Sequence, residues 1–300
     1  MKNLIIAAAL AAIATPLSCV SPAAAATILA PTTEHDHIRM TLHGTKGPVV
    51  VLIPGMSTPG KVWDDMASSL SGDHRVVVVE VKGFDGQRAP ANEAPGLIDG
   101  IVADLAADLH ARGFHQPVMA GHSFGGLVAM KYALVQPAMV KSIVVVDALP
   151  FFGTVFADDA TVESIAPRAK AMHDMMVGQA DVIRASVAKP TAKDPGGNYS
   201  IDPARRIAIA NWAMQSDPVV VARALVEDMA MDLRKDIAAI RVPMTILYQA
   251  HEDPALAAKR YETDYAAKAD TKLVPIKETG HFIQLDQPEA VRTALVAAAR

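Results

Sequence analysis

The sequence predicts an α/β fold, in which a mostly parallel sheet is flanked by helices and covered by an inserted helical segment. Short aliphatic runs alternate with longer helical segments along most of the chain, which is the pattern of parallel strands joined by helices. The alternation stops between residues 150 and 240, where helical pieces rich in Met and Ala replace the strands. With 300 residues, of which 51% are hydrophobic, the chain can bury a large core.

The strands and helices of the predicted sheet follow from hydrophobic periodicity. Strands are predicted over residues 37–44, 48–53, 75–81, 117–120, 141–146, 242–248 and 271–276. The first alternates apolar and polar side chains, as a half-exposed strand near a sheet edge does, whereas the next ones are continuously aliphatic and therefore buried on both faces. Helices are predicted over residues 61–70, 97–112, 126–135, 255–269 and 288–299. We expect right-handed crossovers and a mostly parallel sheet.

The break in this alternation predicts a helical cap over the carboxyl edge of the sheet. Its last helix starts at Ser216-Asp217-Pro218, where a capping side chain precedes a proline in the first turn, and runs over residues 219–232. The predicted organisation is therefore a core made of residues 27–149 and 241–300, with the cap at residues 150–240 between its two parts.

The first 26 residues are typical of a cleaved export signal. Lys2 gives a positive start, residues 4–13 are unbroken apolar, and the alanines at 23–26 offer a cleavage site. The apolar run is too short to span a membrane. We therefore expect a periplasmic or secreted protein cut near Ala26. The single cysteine, Cys19, leaves with the signal unless it carries a lipid, an alternative that the sequence leaves open.

Composition and charge argue against several classes of partner. The formal net charge is −4, and no cluster of Lys or Arg suggests nucleic-acid binding. No apolar run reaches the length of a stable membrane span. Neither a phosphate-cradling loop nor a metal-ligand spacing occurs, so we expect no cofactor and no metal. A small-molecule substrate is the expected partner, and the oligomeric state stays open.

The most informative motif is Gly121-His122-Ser123-Phe124-Gly125, between an apolar strand and a small-residue helix. A serine hydroxyl is a weak nucleophile, so it must stand at a sharp turn where a base and a backbone amide can reach it. A side chain in place of either glycine would crowd the strand against the helix. The pattern predicts a nucleophile at Ser123, and the alternative is an ordinary glycine-rich turn.

With this motif in a strand–turn–helix context, the chain resembles the α/β-hydrolase family over essentially all of residues 27–300. Residues 121–126 match the nucleophile elbow of the lidded esterases in that family. The resemblance implies an α/β-hydrolase fold, and a nucleophile, an acid and a histidine in that chain order. His281, in Thr279-Gly280-His281-Phe282, matches the histidine loop of the family and is the expected general base.

Three carboxylates compete for the position of the acid. The resemblance favours Asp253, which follows the strand at 242–248 and precedes His281 at a spacing common in the family. Asp147 ends the preceding strand, where some members carry the acid, and Glu252 would serve if the loop register differs. The acid fixes the imidazole tautomer and stabilises the imidazolium, so any carboxylate can do this work. We expect Asp253 to complete the triad.

An oxyanion hole needs two preorganised backbone amides. The resemblance places one at Phe124, directly after the nucleophile, and the other at Met56, after the strand at 48–53. Relatives usually carry His-Gly where this chain has Pro54-Gly55. The aromatic side chains expected to bind the substrate are Phe151, Phe152 and Trp212.

Together these residues predict a serine hydrolase that cleaves a small-to-medium carboxylic ester through an acyl-enzyme on Ser123. The same triad hydrolyses lactones, amides and certain carbon–carbon bonds on this fold, so those reactions stay open. Serine at the elbow argues against the dehalogenase and epoxide-hydrolase branches, which use aspartate there. Outside enzymes, the alternative is a ligand-binding sensor that retains the triad.

Overall fold

The computed structural model describes residues 31–186, 190–251 and 253–300. The predicted export signal at residues 1–26, with Cys19, lies outside the described residues, as does Glu252, one of the candidate acids. Among the described residues, no helix combines the length and apolar character needed to cross a bilayer.

The centre of the molecule is an eight-stranded sheet. Its strands are β1 (Thr32–Glu34), β2 (Ile38–His43), β3 (Val49–Ile53), β4 (Arg75–Val81), β5 (Val118–His122), β6 (Ser142–Val146), β7 (Met244–Gln249) and β8 (Lys272–Ile276). Their order is β1-β2-β4-β3-β5-β6-β7-β8. The pairs β1–β2 and β2–β4 are antiparallel, and all other pairs are parallel. The predicted fold class is thus confirmed, and each predicted strand is present.

Helices lie on both faces of the sheet and in a segment inserted between β6 and β7. They are α1 (Asp64–Leu70), α2 (Pro90–Glu93), α3 (Leu97–Ala111), α4 (Phe124–Val135), α5 (Val162–Gly178), α6 (Ala180–Ser186), α7 (Pro203–Gln215), α8 (Pro218–Ala230), α9 (Pro254–Asp264), α10 (Ile283–Asp286) and α11 (Pro288–Ala299). Short 3₁₀ turns lie at Gly60–Trp63, Pro137–Met139, Phe152–Val155 and Asp236–Ala239.

The core divides into two clusters because successive strand residues point to opposite faces. In β3, Val51 and Ile53 join the cluster beneath α3 and α4, whereas Val50 and Leu52 join the one beneath α1 and α11. All five residues of β3, of β5 and of β6 are buried, as expected for strands covered on both faces. This rigid centre positions the loops at the carboxyl ends of β3, β5 and β6.

The helices α5 to α8 all lie between β6 and β7, and we call residues 150–240 the cap segment. The described residues of this stretch contain helices and no strand. The predicted helix at 219–232 is α8, and the Asp217 side chain accepts hydrogen bonds from the amides of Val219 and Val220 at its first turn. Leu225 and Met229 of α8 pack with α5 in a third apolar cluster.

Candidate active site

Ser123 stands on a strained turn between β5 and α4. Its backbone has φ +52° and ψ −123°, a conformation that a side-chain-bearing residue rarely adopts. A Cβ on Gly121 would lie 2.0 Å from the carbonyl oxygen of Gly125, and one on Gly125 would lie 2.5 Å from that of Ile53. Both glycines are therefore required by the close approach of strand and helix, which lifts Ser123 above the edge of the sheet.

The imidazole of His281 is held by Asp147. The His281 Nδ1 to Asp147 Oδ2 distance is 2.6 Å. Asp147 follows the last residue of β6 just as Ser123 follows the last residue of β5, and these strands are neighbours in register. The Ser123 amide donates to the Val146 carbonyl at 3.0 Å, which keeps the two strand ends side by side.

Asp147 is itself oriented by two further donors. The Gln249 amide and the Tyr261 hydroxyl donate to Asp147 Oδ1 at 2.8 and 3.0 Å. Burial, and then the nearby Asp147 charge, raise the pKa of Tyr261 well above its usual value, so the phenol keeps its proton. Because Oδ2 can only accept when ionised, His281 Nδ1 carries the proton, and Nε2 is the basic atom.

Asp253 does not reach the imidazole. It is exposed, and its Oδ1 accepts a hydrogen bond from the Leu256 amide at 3.0 Å, so that it caps the first turn of α9 directly before Pro254. Asp253 lies at the rim of the cavity that Ser123 and His281 line. The predicted pairing of His281 with Asp253 is therefore corrected to Asp147, the alternative at the end of β6.

His122 ties the histidine loop to the nucleophile strand. It is buried, and its Nε2 donates to the His281 carbonyl at 3.0 Å, while Nδ1 has no partner among the described residues. Burial, and then the nearby His281, lower the pKa of His122 well below its usual value. His122 therefore stays neutral. It braces the backbone of His281 and does not compete with it as a base.

The cap segment also holds the histidine loop, through two backbone hydrogen bonds. The His281 amide donates to the Asn198 carbonyl at 2.8 Å, and the Phe282 amide donates to the Tyr199 carbonyl at 2.9 Å. A Cβ on Gly280 would lie 2.3 Å from the Asn198 oxygen, so only glycine allows the two backbones to come this close. The loop before α7 is thus part of the support of His281.

Asp286 reinforces the same junction. Its carboxylate accepts from the Ser200 hydroxyl at 2.5 Å, the Arg205 guanidinium at 3.0 Å and the Gly280 amide at 2.9 Å. The side chain of Asp286 is fully buried in this network. Two segments distant in sequence, residues 200–205 and 280–286, are thereby joined beside the histidine.

The backbone amides of Met56 and Phe124, predicted to form the oxyanion hole, both belong to residues that line the cavity. The amide of Phe124 is the first of α4, where the helix itself provides no acceptor, and Met56 lies in the turn after β3. Neither amide donates to an acceptor in the described part of the chain, and both residues line the cavity beside Ser123. A helix N-terminus with free amides favours negative charge, which suits an oxyanion.

The cavity over these residues has a volume of about 770 Å³. Phe152 lines it, whereas the other two predicted aromatic residues do not. Phe151 is fully buried in the apolar cluster of the cap segment, with the Arg234 guanidinium 4.6 Å from its ring. Trp212 packs against the cluster beneath α1, with Lys61 Nζ 5.7 Å from its ring. Of the three, only Phe152 is placed to meet a substrate.

Sequence reasoning missed three residues of the site: His122, Tyr261 and Asp228 on α8. Tyr261 and Asp228 stand in ordinary helical stretches and have no local signal, since only tertiary packing brings them to the cavity. His122 lies inside the motif, but its bond to the His281 carbonyl depends on a loop far along the chain. Among the described residues, no three His, Cys, Asp or Glu side chains are grouped to hold a metal ion.

A family model described as the alpha/beta hydrolase family matches residues 50–294. The chain belongs to this family. Among alpha/beta hydrolases of known structure, an enol-lactonase from Burkholderia xenovorans is similar, with a TM-score of 0.66 and 18% identity over 87% of this chain and 95% of that one. This likeness shows the same fold.

Curated relatives of this alpha/beta hydrolase include an epoxide hydrolase from Siraitia grosvenorii, 24% identical over 85% of this chain and 95% of that one. A protein named as a carbamate hydrolase in Cronobacter sakazakii is 36% identical over 33% of this chain and 37% of that one. Matches to three of the curated relatives span only 5%, 37% and 29% of their own lengths.

Proposed function

We propose that this alpha/beta hydrolase is a serine hydrolase that cleaves small-to-medium carboxylic esters through an acyl-enzyme on Ser123. The observation that carries the proposal is the placement of Ser123 at a strained elbow, in one cavity with His281, whose Nδ1 is held by Asp147. A nucleophile, a base and an acid that orients the base are the parts that acyl transfer requires.

The first half of the reaction forms the acyl-enzyme. Ser123 Oγ attacks the ester carbonyl carbon, and His281 Nε2 takes its proton while Asp147 stabilises the resulting imidazolium. The amides of Met56 and Phe124 donate to the oxyanion. The tetrahedral intermediate collapses when the imidazolium protonates the leaving alcohol.

The second half releases the acid. His281 Nε2 removes a proton from water, which attacks the acyl carbonyl, and the same two amides stabilise the second oxyanion. The imidazolium then returns the proton to Ser123 Oγ, and the carboxylic acid leaves. His122, which stays neutral and bonded to the His281 carbonyl, keeps the base in place through both halves.

The cavity supports the choice of substrate class. Its volume of about 770 Å³ suits a small or medium ester, and side chains such as Leu127, Leu149 and Phe152 supply apolar contacts. Full-length similarity to an epoxide hydrolase does not favour epoxide opening, because that branch attacks with aspartate where this chain has Ser123.

A fluorophosphonate probe and a ladder of p-nitrophenyl esters from acetate upward test the proposal. We expect stoichiometric labelling of Ser123, loss of labelling in Ser123→Ala, and turnover of at least one ester. Ser71→Ala is the matched control, since Ser71 follows α1 outside the cavity and its loss should not affect labelling. An unlabelled wild-type protein would refute the serine mechanism. Labelling without turnover of any ester would redirect the assignment to lactones, amides, carbon–carbon bonds or ligand sensing.

We further propose that residues 1–26 direct export to the periplasm or beyond. Support comes from the positive start, the apolar run and the small-residue site in the sequence. Fractionation of cells that produce the whole chain, with mass spectrometry of the product, tests this. A product of full mass in the cytoplasm would contradict the proposal.

A further inference from the structure

Asp228 is a buried acid of the cap segment that no step of the proposed reaction uses. It lies on α8, is only 6% exposed, and lines the cavity that holds Ser123 and His281. Leu225, one turn earlier on the same helix, lines the cavity as well. The carboxyl group of Asp228 has no hydrogen-bond partner among the described residues, although the other carboxylate buried at this site, Asp147, has three.

An unpartnered carboxyl group in such a place is costly to the fold. The cavity that Asp228 lines also carries apolar side chains, among them Met56, Leu149, Phe152 and Leu225. A carboxylate that is largely shielded from water and has no compensating donor destabilises the folded chain. Burial raises the pKa of Asp228 from 3.8 to about 7, and no neighbouring charge contributes to that shift.

None of the charged groups described around Asp228 forms an ion pair with its carboxylate. The other titratable residues that line the cavity are His122, Asp147, Tyr199, His251, Asp253, Arg260, Tyr261 and His281. Charged or titratable residues on the helices packed against α8 (α2, α3, α5 and α6) are Glu93, Asp99, Asp104, Asp108, His110, Glu163, Arg168, Lys170, His173, Asp174, Asp181 and Arg184. None of these groups enters the pKa shift of Asp228.

The charge balance of the cavity favours a positive ligand. Among the described residues, Asp147, Asp228 and Asp253 line it, against one guanidinium, that of Arg260, which approaches Asp158 at 3.4 Å. Asp147 is engaged by His281, whereas Asp228 has no donor. A cationic group on a bound substrate would supply the missing partner, and a site that contains an unpaired buried charge discriminates strongly against a substrate that leaves it unpaired.

On the basis of the proposed esterase activity, we propose that Asp228 is a specificity-determining residue that binds a cationic amine group of the substrate. The preferred substrates are then carboxylic esters that carry an ammonium group on the acyl or the alcohol side. The substrate group meets the Asp228 carboxylate under the cap while the ester carbonyl lies at Ser123.

Pairs of substrates with the same shape and different charge test this inference. On the acyl side, p-nitrophenyl 6-(trimethylammonio)hexanoate is compared with p-nitrophenyl 7,7-dimethyloctanoate, in which carbon replaces nitrogen. On the alcohol side, acetylthiocholine is compared with 3,3-dimethylbutyl thioacetate. The readout is the ratio of kcat/KM for the cationic substrate to that for its neutral isostere, so a general loss of activity cancels.

We expect the wild-type ratio to exceed one in at least one pair, and Asp228→Asn to lower it by about 10- to 100-fold, because the trimethylammonium group then loses the opposite charge that attracts it. Asp174→Asn is the matched control, because it removes a carboxylate of the cap segment that is exposed and outside the cavity. Asp174→Asn should leave the ratio unchanged. An equal ratio in wild type and Asp228→Asn overturns the inference.

The pH dependence of the wild-type ratio provides a second measurement that needs no variant. The substrate charge is fixed, so the ratio should rise as Asp228 ionises near pH 7. A ratio that falls between about pH 5.5 and 8.5 overturns the inference, because ionisation of a carboxylate that binds the cation can only raise the ratio. Hydrolysis of the neutral esters without a charge preference in the wild type overturns the inference and leaves the proposed function standing, whereas a wild-type protein that the fluorophosphonate probe does not label defeats the proposed function itself.

Discussion

Replacing Asp147 by asparagine should disable the base while it preserves the fold around it. Asparagine can still accept from the Gln249 amide and the Tyr261 hydroxyl through Oδ1, so two of the three hydrogen bonds of Asp147 survive. In the wild type, His281 Nδ1 lies 2.6 Å from Asp147 Oδ2. In the variant, the NH2 group of asparagine replaces this oxygen and faces Nδ1. Because an amide N–H must donate there, Nδ1 becomes the acceptor and the proton moves to Nε2.

The wrong tautomer has a predictable consequence for the rate. With Nε2 protonated, His281 cannot take the proton of Ser123, and no carboxylate stabilises the imidazolium. We expect kcat to fall by about 10⁴-fold, or about 5 kcal/mol of transition-state stabilisation, with a small change in KM. Steady-state kinetics on the best p-nitrophenyl ester, together with the rate of fluorophosphonate labelling, measure this loss.

Asp253→Asn is the matched comparison, because it makes the same chemical change at the rival carboxylate. Asparagine caps a helix about as well as aspartate, so the first turn of α9 should keep its cap and kcat should stay near the wild-type value. If Asp253→Asn abolished turnover while Asp147→Asn retained it, the assignment of the acid from the hydrogen bonds would be refuted.

Three further predictions each concern one residue. Burial raises the pKa of Asp228 from 3.8 to about 7, so the wild type loses stability as the pH rises through this range. Between pH 4 and pH 8, the free energy of unfolding of Asp228→Asn in urea titrations should therefore rise by up to about 4 kcal/mol relative to that of the wild type. A difference that does not depend on pH would contradict this. Gly280→Ala, whose Cβ would lie 2.3 Å from the Asn198 oxygen, should destabilise the fold by about 1–3 kcal/mol and lower kcat, as thermal melts and kinetics would show. Tyr261→Phe removes a donor to Asp147 and should destabilise the fold by about 1.5–3 kcal/mol in denaturant titrations; a change below about 0.5 kcal/mol would mean that this bond contributes little.

The sheet and the elbow were predictable because their signals are local. Aliphatic runs such as 48–53 and 75–81 are buried on both faces whatever else the chain does, and the glycines around Ser123 reflect a steric demand between adjacent elements. The short β1 lacked such a signal, since three residues at a sheet edge show no clear periodicity.

The choice of acid was harder because Asp147 and Asp253 both follow neighbouring strands. The residue that follows each aspartate distinguishes the two. Asp253 stands directly before Pro254, and aspartate followed by proline is a frequent helix start, in which the carboxylate is occupied by the first-turn amides. Asp147 precedes no helix and remains free for the imidazole. The roles of Tyr261 and Asp228 depend on packing between distant segments, which no pattern along the chain encodes.

The backbone hydrogen bonds between the histidine loop and the carbonyl groups of Asn198 and Tyr199 couple the position of the base to that of the cap segment. Segments of a protein can open locally at a free energy well below that of global unfolding. Local opening of this part of the cap would remove two hydrogen bonds from the histidine loop while the sheet stays intact. Heat or denaturant should therefore abolish activity before the sheet unfolds. Chimaeras that exchange caps between relatives would have to transfer residues 198–200 together with the loop around Gly280, because each is shaped to the backbone of the other.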